Sequence, residues 1–574
     1  FKVQSENVEI RLKNVQYINL NNDELRILKK KNQIPESLAF ESTINYIRKQ
    51  PYMQFNLLPF RKNSLSGKIE KVTSFEIDFI SGTTPAGPFK SPKNFISESV
   101  LKNGSWVKIR LNKDGIYKIT YNELIEMGFN NPSNIKLYAN FDGMLPVSNT
   151  EDCQDDLKQC AIYMEKGSDG IFNTGDYILF YAEGPDKWNY DEGNQFYNCT
   201  KYLYSEYTYL FLTTDVGSLN IVSTTSTPLG STVENINSFT DYLHHELEEE
   251  NLIESGQLWF GEHFDITTSF NFNFEFPNLI KSEPIRIEAA VAARSSATTS
   301  FDFKKGSQTI ASQDMAAVNL STYTSTYAVR NIINDNFTSS TDNFVLTLNY
   351  NKSSSSSEGW LDYITLNAQR LLRLEDNQLI FRYFNTESVS KIIEFDVQNY
   401  NSNTKVWNIS NPNEPNKIQL VSGKIKVTAN PGLNEYIAFN QQNSLIPEII
   451  GSINNQNLHA INHCDMIIVS HPDFLSQANE IAEIHEQQDG LSVEIVIPDQ
   501  IYNEFSSGIP DPAAIRNFVR MIYNRPSSTD TLRYLLFIGD GSFDKRRPTS
   551  RYCVVNLKKD RKIKHVLKER NYID

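Results

Sequence analysis

Between Cys464 and Asp544 the chain alternates apolar strand patterns with amphipathic helix patterns, and that alternation leaves few folds open to it. Residues 466–469 form a short apolar run. His471-Pro472-Asp473 then opens a segment in which Phe474, Leu475, Ala478, Ile481, Ala482 and His485 recur at helical spacing, so a buried strand feeds an amphipathic helix. Gly490 stops this helix, and Leu491, Val493, Ile495 and Ile497 alternate as a second strand before Pro498. Asp511-Pro512 supplies an N-cap and a proline at the first helical position, ahead of Ile515, Phe518, Val519 and Ile522 on one face. Residues 532–538 form a third strand that ends in Gly539-Asp540-Gly541-Ser542-Phe543-Asp544. Strands and helices in this order imply right-handed crossovers and an open parallel sheet. Such sheets receive ligands beyond the carboxyl ends of their strands. The turn therefore lies on the functional edge, where Asp540 and Asp544 are candidates for lining a cleft. Beside two glycines they equally suit a tight turn.

Upstream the chain reads as β-rich. With 574 residues and roughly 150 per domain, about four domains are expected. The divisions fall at 1–95 (β-rich), 96–222 (mixed β), 223–455 (one large or two smaller β-sandwiches), 456–544 (the start of the α/β domain) and 545–574 (a basic tail of aberrant composition). Residues 83–93, with prolines and glycines, read as a linker. Residues 106–111 and 116–119 around Asn112-Lys113-Asp114-Gly115 carry a hairpin signature, and residues 121–127 a short helix stopped by Gly128. The oxygen-rich run 168–176 raises a calcium site but lacks the ligand spacing of an EF-hand loop, so a turn is the better reading. The serine run 353–357 reads as an exposed loop tip.

Charge and cysteine usage narrow the function classes. A net charge of −14 repels phosphate backbones, so no nucleic-acid partner is expected. No apolar stretch reaches the roughly 18 residues needed for a spanning helix. Cys153 and Cys160 are close enough in sequence to close a small disulfide loop in an oxidising compartment; two unrelated thiols, or Cys199 as a competing partner, remain open.

The stretches "HPDFLSQANEIAEIHEQQDGLSVEIV", "IYNEFSSGIPDPAAIRNFVRMIY" and "RYLLFIGDGSFD" resemble the opening of the gingipain-type cysteine peptidase domain in the sortases of the Bacteroidetes type IX secretion system. Upstream, "GSWVKIRLNKDGIYKITYNELIEMGF", "NIKLYANFDGMLP" and "DGIFNTGDYILFYAEGPDKW" resemble the region that precedes the domain in the same family. The resemblance implies a multidomain chain, with β-rich N-terminal domains followed by the first part of a caspase-like α/β peptidase domain. It implies removal of the C-terminal sorting domain from secreted cargo and attachment of that cargo to the cell surface, at the extracellular face of the outer membrane. The implied partners are cargo with a C-terminal sorting domain, a type IX outer-membrane barrel and attachment-complex subunits; no cofactor or metal is called for. A non-catalytic β-rich docking or adhesion protein and a gingipain-like secreted endopeptidase are the alternatives.

The family's chemistry is a cysteine/histidine dyad in which a thiolate attacks the peptide carbonyl and the histidine handles protons. Both residues belong downstream of the Gly539–Asp544 turn, and neither the HG context of the histidine nor the later cysteine motif occurs there. The chain is therefore expected to end prematurely or out of frame and to be inactive as it stands. Cys553 and His565 lie in the basic tail without the glycines and strand ends that would position them. Cys464, beside His463, starts a strand at the wrong edge of the sheet and reads as a buried structural cysteine. His471 belongs to the loop before a helix and His485 to that helix's partly buried face. His244-His245 before an acidic run read as a solvated helix face rather than a metal site.

Overall fold

The computed structural model describes residues 1, 8–28, 34–47, 50–81, 95–149, 151–254, 258–322, 324–375, 377–525, 531–542 and 553–555. The expected linker at 83–93, Asp544 and the tail apart from 553–555 lie outside the described residues. β-Rich units fill the chain up to Ile453, and a parallel α/β segment follows.

In the N-terminal stretch Val8–Asn19, Ile69–Ser81 and Phe60–Lys62 form one antiparallel sheet, and Phe40–Ile47 pairs with Gln50–Leu57. The second unit packs two sheets around Ile109, Ile119, Leu137, Ile178 and Phe180. One sheet orders Glu448–Ile453, Trp106–Leu111, Thr208–Thr213, Lys136–Ala139 and Lys158–Cys160; the other orders Tyr163–Glu165, Tyr177–Ala182 and Gly115–Thr120. The expected hairpin is therefore not formed. Trp106–Leu111 and Gly115–Thr120 go to different sheets, because the loop between them turns a corner that Asp114 pins by accepting a 2.6 Å bond from the backbone N–H of Gly184. The short helix is present as Tyr121–Glu126, with a capping box between Thr120 and Glu123.

Two sandwiches follow. The first stacks Ser238–Glu246, Glu358–Leu371, Ile285–Arg294 and Val329–Phe337 on Ser269–Glu275, Asn343–Asn351, Thr299–Lys305 and Gln308–Met315, around Phe264, Phe301, Phe303 and Leu346. The second encloses Phe381, Phe395, Ile425 and Tyr436 between the sheet containing Gly432–Asn440 and that containing Lys391–Asp396. Both lie between Thr208–Thr213 and Glu448–Ile453, which flank Trp106–Leu111 on its two sides. The sandwiches are thus an insertion into the second unit, and the last strand of the 223–455 stretch belongs to that unit's sheet.

Several local readings change. His244-His245 lie in the strand Ser238–Glu246, not on a helix; a nine-residue register with Glu358–Leu371 overrides the helical tendency of the acidic run. Ser353–356 are exposed as expected, but Ser357 is fully buried and its hydroxyl meets that of Ser295 at 3.0 Å. Asp169 accepts from the backbone N–H of Ile171 and Asp176 from that of Asn173, so the carboxylates at 168–176 cap a turn.

No disulfide joins Cys153 and Cys160. Cys160 is buried in the second unit with Asn413 Nδ2 3.1 Å from its sulfur, while Cys153 packs on the α/β core with Asn517 Nδ2 at 3.6 Å. Seven positions of separation place the two thiols in different cores.

Among the described residues no helix is long and apolar enough to cross a membrane.

Candidate functional site

The α/β segment is a three-stranded parallel sheet ordered Val493–Val496, Met466–Ser470, Tyr534–Ile538. Met466–Ser470 is buried along its whole length, as a central parallel strand must be. One face packs on the helix Leu475–Asp489 through Ala478 and Ala482. The other packs on the helices Pro498–Phe505 and Pro512–Asn524 through Ile501, Phe505, Phe518 and Ile522. Gly490 ends the first helix at φ 65°, a left-handed cap that favours glycine. Asp511 caps the last helix by accepting from the Ala513 N–H, with Pro512 at the first helical position. The helix Pro498–Phe505 is an element that sequence reading passed over, although Pro498 and the spacing of Ile501, Tyr502 and Phe505 signal it.

The two ends of this sheet differ in chemistry. At the amino ends Asp465 ties all three strands together. Its Oδ2 accepts from the Ser492 N–H at 3.0 Å, and its Oδ1 accepts from Arg533 Nε at 3.0 Å. Burial opposes its charge, but these bonds hold its carboxyl below the usual range. Cys464 stands next to it, 1% exposed, and burial pushes its thiol up to about 12, which keeps it protonated and inert.

At the carboxyl ends the His471 N–H donates to the Ile538 carbonyl at 2.9 Å, which sets the loop before the helix directly beside the glycine turn. His471 Nδ1 accepts from the Asp473 N–H at 3.2 Å. Gly539 has φ 141°, outside the range side-chain-bearing residues favour. Asp540 follows, exposed, and Ser542 is buried. Asp540 thus sits at the strand end where the sequence placed it; its partner candidate Asp544 lies outside the described residues.

The tail corrects one expectation. Cys553–Val555 forms a short strand parallel to Asp540–Gly541, with Cys553 opposite Asp540. Three residues are too few for a periodic pattern, so this strand was invisible to the sequence reading. The carboxyl edge therefore gathers an imidazole, an exposed carboxylate and the backbone of Cys553.

The α/β segment is bolted to the second unit. Asp511 accepts from the Tyr202 hydroxyl at 2.9 Å and from the Leu145 N–H at 3.1 Å. Ser507 Oγ accepts from the Asn140 N–H, and Lys108 Nζ donates to Asn503 Oδ1 at 2.9 Å and to the Gly508 carbonyl. Burial lowers the Lys108 ammonium to about 8. A shallow concavity with room for little more than a water molecule opens along this junction, lined by Phe141, Lys187, Tyr202 and Ser507 among others. None of the strand-end residues lines it, so it is a seam between units and separate from the carboxyl edge. Among the described residues no group of three or more histidines, cysteines and carboxylates is placed to hold a metal.

Residues 459–569 match the family described as Peptidase family C25. The solved structure of dimeric latent PorU from Porphyromonas gingivalis is similar at a TM-score of 0.70 and 25% identity, covering 79% of this chain and 43% of that one. The chain thus spans less than half the length of that relative. A carbohydrate-binding module CBM36, solved with calcium and xylotriose, covers 22% of this chain at 14% identity, and its TM-score of 0.15 carries no argument. No curated protein matches the chain. Taken with the β-rich units and the parallel sheet that follows them, the chain matches peptidase family C25 over residues 459–569 and is similar to PorU over the 79% of this chain that the comparison covers.

Proposed function

We propose that the chain is part of a cysteine-type sortase of the type IX secretion system, one that removes the C-terminal sorting domain from secreted cargo and attaches the cargo to the cell surface. The observation that carries this reading is joint: the family C25 match covers the α/β segment, and the likeness to PorU extends through the β-rich units upstream of it. An endopeptidase related only through its catalytic domain has no reason to share those units. Its place would be the extracellular face of the outer membrane, beside a type IX barrel and the attachment-complex subunits. Asp540, on the carboxyl edge, would line the substrate cleft, with Asp544 beyond it. The residues as they stand would be catalytically silent, since no HG pair occurs in the sequence.

The test uses cells that lack their own sortase and a cargo protein bearing a sorting domain. The chain alone should leave the cargo uncleaved, whereas the chain joined to the part of PorU beyond the matched stretch should restore cleavage and surface attachment. Cleavage with release of cargo into the medium would point to a secreted endopeptidase. A chimera that reaches the surface and leaves cargo untouched would point to a docking protein.

A further inference from the structure

We propose that His459 is a protonation-controlled clasp that fastens the α/β segment to the second β unit. The imidazole is fully buried, with Nδ1 2.6 Å from Glu504 Oε2 and Nε2 3.0 Å from Asp155 Oδ1. A carboxylate oxygen only accepts, so both ring nitrogens must donate, and that is the imidazolium form. Glu504 belongs to the helix Pro498–Phe505, whereas Asp155 lies in the second unit, 304 positions before His459. The ring stacks on Phe505, with centroids 4.4 Å apart and planes at 13°.

Each partner is itself held. Glu504 accepts from the backbone N–H groups of Leu458 and His459 and from Gln456 Nε2. Asp155 Oδ2 accepts from the Ile96 N–H at 2.7 Å. The other charged groups facing the cluster are Asp156, bonded to the Ser99 hydroxyl and the Val100 N–H, and Arg525, whose guanidinium donates to the carbonyls of His459, Ile461 and Ile96. Five separate stretches of chain therefore converge on one buried cation.

Burial disfavours the charge, but the bonds and charges of Asp155 and Glu504 more than offset it, and the imidazole rises from 6.5 to about 9. Burial likewise raises Asp156 to about 6. A raised histidine contributes stability that is complete below its ordinary value and lost as pH climbs through about 9. Loss of the proton turns one nitrogen lone pair toward a buried carboxylate oxygen, and the clasp loses one of its two bonds. The helix that Glu504 anchors starts immediately after the carboxyl end of Val493–Val496, so release is transmitted to the functional edge. This device is independent of the proteolytic reading.

The experiment follows the whole chain from pH 5.5 to 10.5 by carbon-13 NMR of labelled histidine rings, assigning His459 with His459→Gln. In parallel, the rate of protease cleavage within 456–461, the stretch that carries the imidazole and lies apart from the Lys108 contact to Gly508, is measured against an unstructured substrate at each pH. The His459 resonance should titrate near pH 9, and cleavage should rise at least tenfold between pH 7 and 10 with the same midpoint. His459→Gln should be cut at pH 7 as fast as the unmodified chain at pH 10, with no further step. A resonance titrating near 6.5, or cleavage that stays flat through pH 9, overturns the clasp. Should the glutamine variant not fold, the cleavage midpoint of the unmodified chain decides alone.

Discussion

The first sandwich and the parallel sheet are built from the same kind of apolar strand, yet only the sandwich closes over its own core. Its two sheets come from one stretch of antiparallel strands, and each inner face is covered by the other: Phe264, Phe301, Leu346 and Leu366 are all fully buried. The parallel sheet needs a crossover for every strand it adds. Its central strand is sealed by helices on both faces, but Tyr534–Ile538 leaves Tyr534, Leu535 and Phe537 between 36% and 48% exposed. An antiparallel unit carries its closure within itself; a parallel one borrows it from whatever comes next in the chain.

The largest effect that would separate the two regions is a cavity in the closed core. Phe301, with Tyr350 at 4.6 Å and Phe264 at 5.3 Å, should lose about 4 kcal/mol on conversion to Ala, read as lost hydrogen-exchange protection across the first sandwich. The α/β segment should keep its protection in that variant.

Next comes pH, where the regions differ in sign. Burial lowers His244, beside Glu246 and Thr365 in the first sandwich, to about 4, whereas His459 rises. A lowered histidine contributes stability that is complete above about 6.5 and lost as pH falls toward 4. The sandwich should therefore weaken in acid by up to about 3 kcal/mol, and the junction of the α/β segment should weaken in alkali. A urea series at pH 7 and 4.5 on the unmodified chain and on His244→Asn checks the acid limb; an equal acid loss in both would remove His244 from the account.

Gly490→Ala should cost about 1 kcal/mol, since φ is 65° and no atom lies within 4 Å of the new methyl; the penalty is conformational and confined to the helix end. Smallest is Leu535→Ser, already 40% exposed, which should change stability by less than about 0.5 kcal/mol while reducing light scattering on concentration. A large loss of stability there would mean that this edge is covered in solution.

Local chemistry was the legible part of the sequence. The Gly490 stop, the Asp511-Pro512 start and the apolar run 466–469 each depend on residues within a few positions of one another. What failed depended on distant partners. Trp106–Leu111 looks like half of a hairpin because its true neighbours, Thr208–Thr213 and Glu448–Ile453, lie far along the chain. Nothing around His459 announces a clasp, since Asp155 and Glu504 come from opposite sides of the insertion. At the carboxyl edge Asp540 could be placed from the glycine turn alone, whereas the approach of Cys553 required the pairing itself.

The strand Glu448–Ile453 settles how the molecule answers a pull. It is held to Trp106–Leu111 by antiparallel pairing and by the two-pronged grip of Arg110 on Glu448, and the chain passes from it into the α/β segment. Tension applied at that segment is delivered to the second unit, while both sandwiches hang as a side branch off the line of force. In a single-molecule stretch the sandwiches should unfold only after the bonds that fasten the α/β segment to the second unit have parted and this strand has peeled, as their roughly 235 residues of slack are drawn into line.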